Sequence, residues 1–272
     1  SILSDAKNLA VIRALNARWK CYKADMIAGC ETQTNWYQVP QHHRLDRLVG
    51  MGKDQRFCAA HNVNDKSRCQ PGGTLIASYG RAIGFGRVEV GKDKTGLARW
   101  TWMSFSTDGL VRRFVSAYRP KRPSSLKKRG INWYGKTVCE QHYRYYHQKG
   151  YPNRDPVWNF DKDFLEQLSK WLKQGEEIVL MLDMNANIYT SLFARKLGEL
   201  GFEELFQRTN SARAPYSHID GSQPICGVFV TQGIDCQGYF IFRHEVGAGD
   251  HRLHAFDLTQ QLIFGTSALT PA

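Results

Sequence analysis

A mixed α/β domain is the fold class this sequence predicts, and three observations predict it. Short apolar or alternating runs bounded by glycine or turn residues recur along the chain, as β-strands do. Beside them stand apolar stripes at helical spacing. No tandem repeat or low-complexity tract marks a linker, and 272 residues with 42% hydrophobic composition suffice for a buried core, so one domain over residues 1–272 is expected.

The elements follow in order. Ser4 to Tyr22 sets Leu9, Ile12, Leu15 or Asn16, and Trp19 at helical spacing, and Asp25 to Cys30 reads as a short buried strand. Further strands are expected at Gly73 to Tyr79, Arg99 to Phe105, Leu110 to Tyr118, Glu177 to Asp183, Gly227 to Thr231, Tyr239 to Phe242 and Arg252 to Leu258. Phe160, Phe164, Leu168, Trp171 and Leu172 form one helical stripe. Leu192, Phe193, Leu197 and Leu200 form another that stops at Gly201. Both flank the strand that ends in Asp183.

Charge points to a polyanionic partner. Lysine plus arginine total 37 against 25 acidic residues, a formal charge of +12, with an isoelectric point near 9.4. Between Asp108 and Glu140 there is no acidic residue, while Arg112, Arg113, Arg119, Lys121, Arg122, Lys127, Lys128, Arg129 and Lys136 all fall there. Trp133, Tyr134, Tyr143, Tyr145, Tyr146, Tyr151 and Trp158 follow, so residues 119–158 read as a basic, aromatic loop insertion suited to phosphates and base faces.

No apolar run approaches the roughly 18 residues of a membrane span, which predicts a soluble chain with no membrane partner. Seven cysteines and no glycosylation sequon predict an intracellular, non-secreted protein and leave nucleus or organelle open. Cys58 with His61 and Cys139 with His142 are the best-spaced zinc pairs, but free thiols in or near the core are the expected reading.

Several strands end in a polar residue, where a rigid sheet presents side chains at one rim. Glu31 follows the first, Tyr118 and Arg119 the second, and Asp183 and Asn185 the third; Asp250, His251 and Arg252 precede the last. Carboxylates at strand termini suit a hard divalent cation, and Glu31, Asp183 and Asp250 fit magnesium. Asp183 and Asn185 alternate on one face, where a base and an amide donor meet a phosphate, with His251 as a further donor.

In order, Glu31-Thr32 with Asn35-Trp36, Pro71-Gly72-Gly73-Thr74, Thr95 to Trp102, Ala117-Tyr118-Arg119-Pro120, Leu182-Asp183-Met184-Asn185, Pro224 to Val230 and Gly249-Asp250-His251-Arg252 resemble the motifs of the exonuclease, endonuclease and phosphatase superfamily. The likeness is to the endonuclease-like domains of non-LTR retrotransposons and to abasic-site nucleases, over residues 20 to 260 or so. It implies a four-layered α/β sandwich, two mostly antiparallel sheets face to face with helices outside. It implies Glu31 and Asp250 as metal ligands for Mg2+, with Mn2+ a substitute. Tyr118 would contact phosphate, Asp183 orient or deprotonate water with Asn185 beside it, and His251 close the site next to Asp250. Arg119, Lys121, Arg122, Lys127, Lys128, Arg129 and Arg252 are the expected nucleic-acid contacts.

Two departures accompany the resemblance. The family opens on a strand bearing asparagine, and only Ser1, Ile2 and Leu3 precede the first helical segment, so that strand is expected to be missing here, its asparagine either upstream of this sequence or lost. Cys226 stands where the family has the aspartate that holds the histidine. A thiol is a weak acceptor and is expected neither to fix the His251 tautomer nor to stabilise an imidazolium.

The leading reading is a metal-dependent phosphodiesterase on DNA, with RNA less favoured. The alternative is an impaired nuclease fold that binds nucleic acid or builds a larger nucleoprotein complex. A phosphatase for small phosphoesters is the third class.

Overall fold

The computed structural model describes residues 24–36, 55–66, 70–79, 87–107, 109–122, 137–246 and 249–259. The expected helix at Ser4 to Tyr22, and Lys127, Lys128, Arg129, Trp133 and Tyr134, lie outside them.

The central layer is a six-stranded sheet. Its strands are β4 (Arg87–Lys92), β5 (Trp100–Thr107), β6 (Leu110–Tyr118), β7 (Glu177–Asp183), β8 (Glu203–Glu204) and β9 (Cys226–Val230), in the order β4-β5-β6-β7-β9-β8. β6 and β7 run parallel and every other pair is antiparallel. A parallel pair needs a crossover, and α1 (Val138–Gln148) and α2 (Pro156–Lys173) lie within it. α3 (Leu192–Glu199) and the short α4 (Leu205–Asn210) follow β7 and β8.

Strand alternation sorts the core into two layers. Val115, Ala117, Ile178, Leu180 and Leu182 point to the helices, where Phe160, Phe164, Leu168 and Trp171 of α2 and Phe193 of α3 meet them. Met103, Phe105, Phe114 and Val179 point the other way. They pack on Met26, Ile76 and Cys58 of a second sheet and on Tyr239 and Phe256 of a hairpin. The second sheet is β1 (Met26–Cys30), β2 (Gln55–Ala60) and β3 (Thr74–Tyr79) in the order β1-β3-β2, fully antiparallel; the hairpin is β10 (Cys236–Ile241) and β11 (His254–Leu258). The architecture is a layered α/β sandwich of mostly antiparallel sheets with helices outside.

The stretch read as a loop insertion at 119–158 contains a helix. Thr137 caps α1 by accepting the Glu140 N–H, and the Glu140 carboxylate accepts the Thr137 N–H in turn, a reciprocal capping box. Asp155 caps α2, with Pro156 in its first turn. Tyr146 is buried, so part of the aromatic content anchors α1. Among the described residues no helix is long and apolar enough to cross a membrane.

Candidate active site

Three neighbouring strands of the central sheet bring their polar ends together. The register sets Tyr118 at the end of β6 opposite Asp183 at the end of β7, and Asp183 opposite Cys226 at the start of β9. Because Ala117 and Leu182 point to the helices, Tyr118 and Asp183 take the other face, and both are buried. β1 reaches the same rim. Ser116 Oγ donates to the Gly29 carbonyl at 3.0 Å and Cys30 Sγ to the Ala117 carbonyl at 3.2 Å, docking the end of β1 on β6.

Glu31 follows β1 in left-handed backbone, φ 52°. Its turn is pinned by Gln33 N–H donating to the Gly72 carbonyl at 2.8 Å. Gly73, at φ +90°, is required there, since a Cβ would stand 2.5 Å from Thr32 Oγ1.

Asp183 is stitched to its surroundings by backbone. Its Oδ1 accepts the Asn185 N–H at 3.1 Å, and Asn185 Nδ2 donates to the Arg119 carbonyl at 2.8 Å. Asn185 is also left-handed, φ 50°, a conformation asparagine tolerates better than most residues. The Arg119 guanidinium is engaged bidentately by Asp161 of α2 at 2.6 and 2.9 Å and its side chain is only 13% exposed. Arg119, expected among the nucleic-acid contacts, thus clamps the end of β6 to α2. Arg122 pairs with Asp155, and Arg252 lies over the Tyr216 ring at 4.7 Å.

On the other flank, Cys226 Sγ lies 3.0 Å from His251 Nδ1. The thiol therefore stands beside the histidine, at the position where the family has its aspartate. Ser217 Oγ accepts the N–H groups of Ile225 and Cys226, each at 3.0 Å. His218 pairs with His251 through an isolated β-bridge and their rings meet edge to face. His218 Nδ1 accepts the Asp220 N–H at 3.0 Å, which leaves the neutral ring's proton on Nε2, 3.2 Å from Asp250 Oδ2. His218 is thereby an orienting donor to Asp250.

Electrostatics single out Asp183. Burial first, then the Glu31 charge, raise its carboxyl to about 8, against which the Asn185 N–H and Lys121 work in the other direction. Burial, then Glu31 and Asp183, keep the Tyr118 phenol well above its ordinary range, so it is a donor. Burial lowers His251, with Asp250 and Glu31 opposing.

A cation between such carboxylates relieves their repulsion, and the donor set suits one. The ligand atoms of Asp183, Cys226 and His251 lie within 4.8 Å of one another, as do those of His218, Asp250 and His251. Glu31 is outside both groups yet acts on Asp183 and His251. Oxygen donors fit a hard divalent ion, whereas the thiol and imidazoles of the same rim suit a softer one.

Glu31, Tyr118, Asp183, Asn185, Asp250 and His251, picked out along the chain, thus meet at one rim. Ser217 and His218 were missed. They sit in a stretch without apolar periodicity, and only the bridge to His251 reveals them. The described cysteines are free thiols, Cys58 donating to the Gly91 carbonyl at 3.3 Å.

No protein-family model and no curated protein matches the chain. Solved structures do. An endonuclease/exonuclease/phosphatase from Beutenbergia cavernae superposes with TM-score 0.55 at 14% identity over 91% of this chain and 65% of that one, so the chain spans about two thirds of that protein's length. A variant of the 3' phosphatase NExo from Neisseria, bound to product DNA hairpin, gives 0.59 at 12% identity, over 92% and 95%. The endonuclease domain of TRAS1, a telomere-specific non-LTR retrotransposon, gives 0.52 at 15%, over 93% of each. At these identities the likeness is one of fold: the chain has the endonuclease/exonuclease/phosphatase fold.

Proposed function

We propose that the chain is a divalent-cation-dependent phosphodiesterase acting on nucleic acid, DNA in preference to RNA. The observation that carries the reading is the meeting of Tyr118, Asp183 and the Cys226-held His251 on three adjoining strands, with Glu31 close enough to help lift Asp183 to about 8. A carboxylate poised near neutrality is matched to taking a proton from water. The basic charge of the chain and the fold shared with a DNA-bound phosphatase support a polyanionic substrate.

Each residue has a role. Asp183 accepts the proton of the attacking water, and Asn185, anchored on the Arg119 carbonyl, holds the turn that presents it. Tyr118 and His251 donate to non-bridging phosphate oxygens as charge builds on them. Glu31 and Asp250 are the residues that would hold the cation, Mg2+ or Mn2+. A cation bound there supplies Lewis-acid polarisation of the phosphoryl group. Lys121, Arg122, Arg252 and the run Lys127-Lys128-Arg129 are the proposed contacts to the strand.

The test is nicking of supercoiled plasmid with Mg2+, Mn2+ or chelator. Asp183→Ala and His251→Ala are expected to lose about 10²–10⁴ in rate while retaining salt-sensitive DNA binding. Equal activity in all three proteins would sink the assignment. The thiol at Cys226 favours a second reading, a fold retained for binding. Tight, salt-dependent binding without metal-dependent nicking would establish it.

A further inference from the structure

The proposed chemistry uses His251 but gives no work to Cys226 or Ser217, which hold it. We propose that Cys226 is a positioning residue whose S–H donates to His251 Nδ1, placing the ring proton on Nε2; its functional meaning rests on the phosphodiesterase reading above.

The directions of the hydrogen bonds lead to this. Ser217 Oγ accepts two backbone N–H groups at 3.0 Å, so both its lone pairs are engaged and its own proton must point outward. Ser217 thereby fixes the backbone at Cys226, whose thiol has a proton of its own to give. The nitrogen 3.0 Å away is His251 Nδ1. Were the proton on Nδ1 instead, sulfur, a weak acceptor, would have to take it and the S–H would lose the acceptor nearest it.

The far side of the ring agrees. His251 Nε2 faces Asp250 Oδ1 at 4.0 Å, and Asp250 Oδ2 is occupied by His218. A carboxylate attracts an N–H there and repels a lone pair. Burial beside Asp183 keeps Cys226 a thiol, with the proton to donate. Ser217 thus holds the backbone at Cys226 and Cys226 directs His251, one relay.

The consequence separates two jobs that a single histidine can combine. A neutral ring with its proton on Nε2 donates to a phosphate oxygen and has no lone pair on that nitrogen to accept a proton from water. Deprotonation of water therefore belongs to Asp183 alone. An aspartate at position 226 would reverse this, drawing the proton to Nδ1 and baring Nε2.

The experiment is 15N NMR of the imidazole nitrogens in the full chain, with His251 assigned by difference against His251→Gln. The expected signature is an unprotonated Nδ1 and a protonated Nε2. Cys226→Ser, which keeps a donor, retains it, and Cys226→Asp exchanges the two signals. A wild-type ring protonated on Nδ1, or one indifferent to Cys226→Asp, overturns the proposal. The readout needs no turnover. The expected tautomer in a protein that never nicks DNA refutes the phosphodiesterase reading and supports the relay, whereas nicking with the opposite tautomer refutes only the relay.

Discussion

Two of the places where the described residues bury charge treat it in opposite ways. On the helix side of the sheet, Arg99 and Asp93 are each 1% exposed and paired at 2.6 Å, with Asp163 of α2 on a second guanidinium nitrogen and Trp100 beneath. Burial works to raise the Asp93 carboxyl, but hydrogen bonds and charge from Arg99 hold it below its ordinary value. At the rim, Asp183 is as deeply buried, yet its strongest charged neighbour is another carboxylate, Glu31, and it rises to about 8. Satisfied pairs hold layers together. A buried acid beside a second acid weakens the fold and marks a place where protons or cations move.

The contrast can be broken by experiment. Its largest expected effect is on the satisfied side, where Asp93→Ala removes the two-bond partner of Arg99, leaves it Asp163 alone, and should cost about 3 kcal/mol or more in urea unfolding. A loss well below that range would erase the distinction.

Asp183→Asn should act in the opposite direction. The folded carboxyl titrates near 8 and the free one near 3.8, so native protein holds a proton that the unfolded chain has released. The stability carried by that proton is present below about pH 4 and is lost as pH rises through 8. Melting curves should therefore favour Asp183→Asn increasingly from acid to alkaline pH, by several degrees at roughly 2–4 °C per kcal/mol. Parallel curves would mean that Asp183 is not strained by its charge.

Arg119→Lys tests the seam between the two regions. It exchanges a forked, two-bond contact with Asp161 for a single one and should cost about 1 kcal/mol, while lowering kcat more than stability because Asn185 hangs on the Arg119 carbonyl. Equal losses in both would make it a structural clamp only. The smallest effect belongs to Arg87→Ala, whose pair with Glu89 is 80% and 49% exposed, at under about 1 kcal/mol by the same unfolding assay.

How much of this was legible in the sequence depended on burial. β6 and β7 announced themselves because they are buried on both faces and read as apolar runs. β4, an edge strand with Arg87, Glu89 and Lys92 turned to solvent, has only Val88 and Val90 to show, and the apolar run of β2 is only Phe57, Cys58 and two alanines, without a β-branched residue. α1 hid because Tyr, His and Arg blur its apolar stripe, although Thr137 and Glu140 spelled out its capping box. The site was legible where strands end in Tyr118, Asp183 and Cys226. It was not where Ser217 and His218 arrive through tertiary pairing.

The left-handed turn at Glu31 carries a consequence for anyone engineering this chain. Glycine relaxes that backbone at a gain of about 1 kcal/mol, and Asp183→Asn relieves a buried charge nearby. Directed evolution or consensus redesign scored on thermostability alone would accept both changes early. Such a campaign would return a tougher protein with its proposed reaction centre dismantled, so libraries built on this fold need an activity screen from the first round.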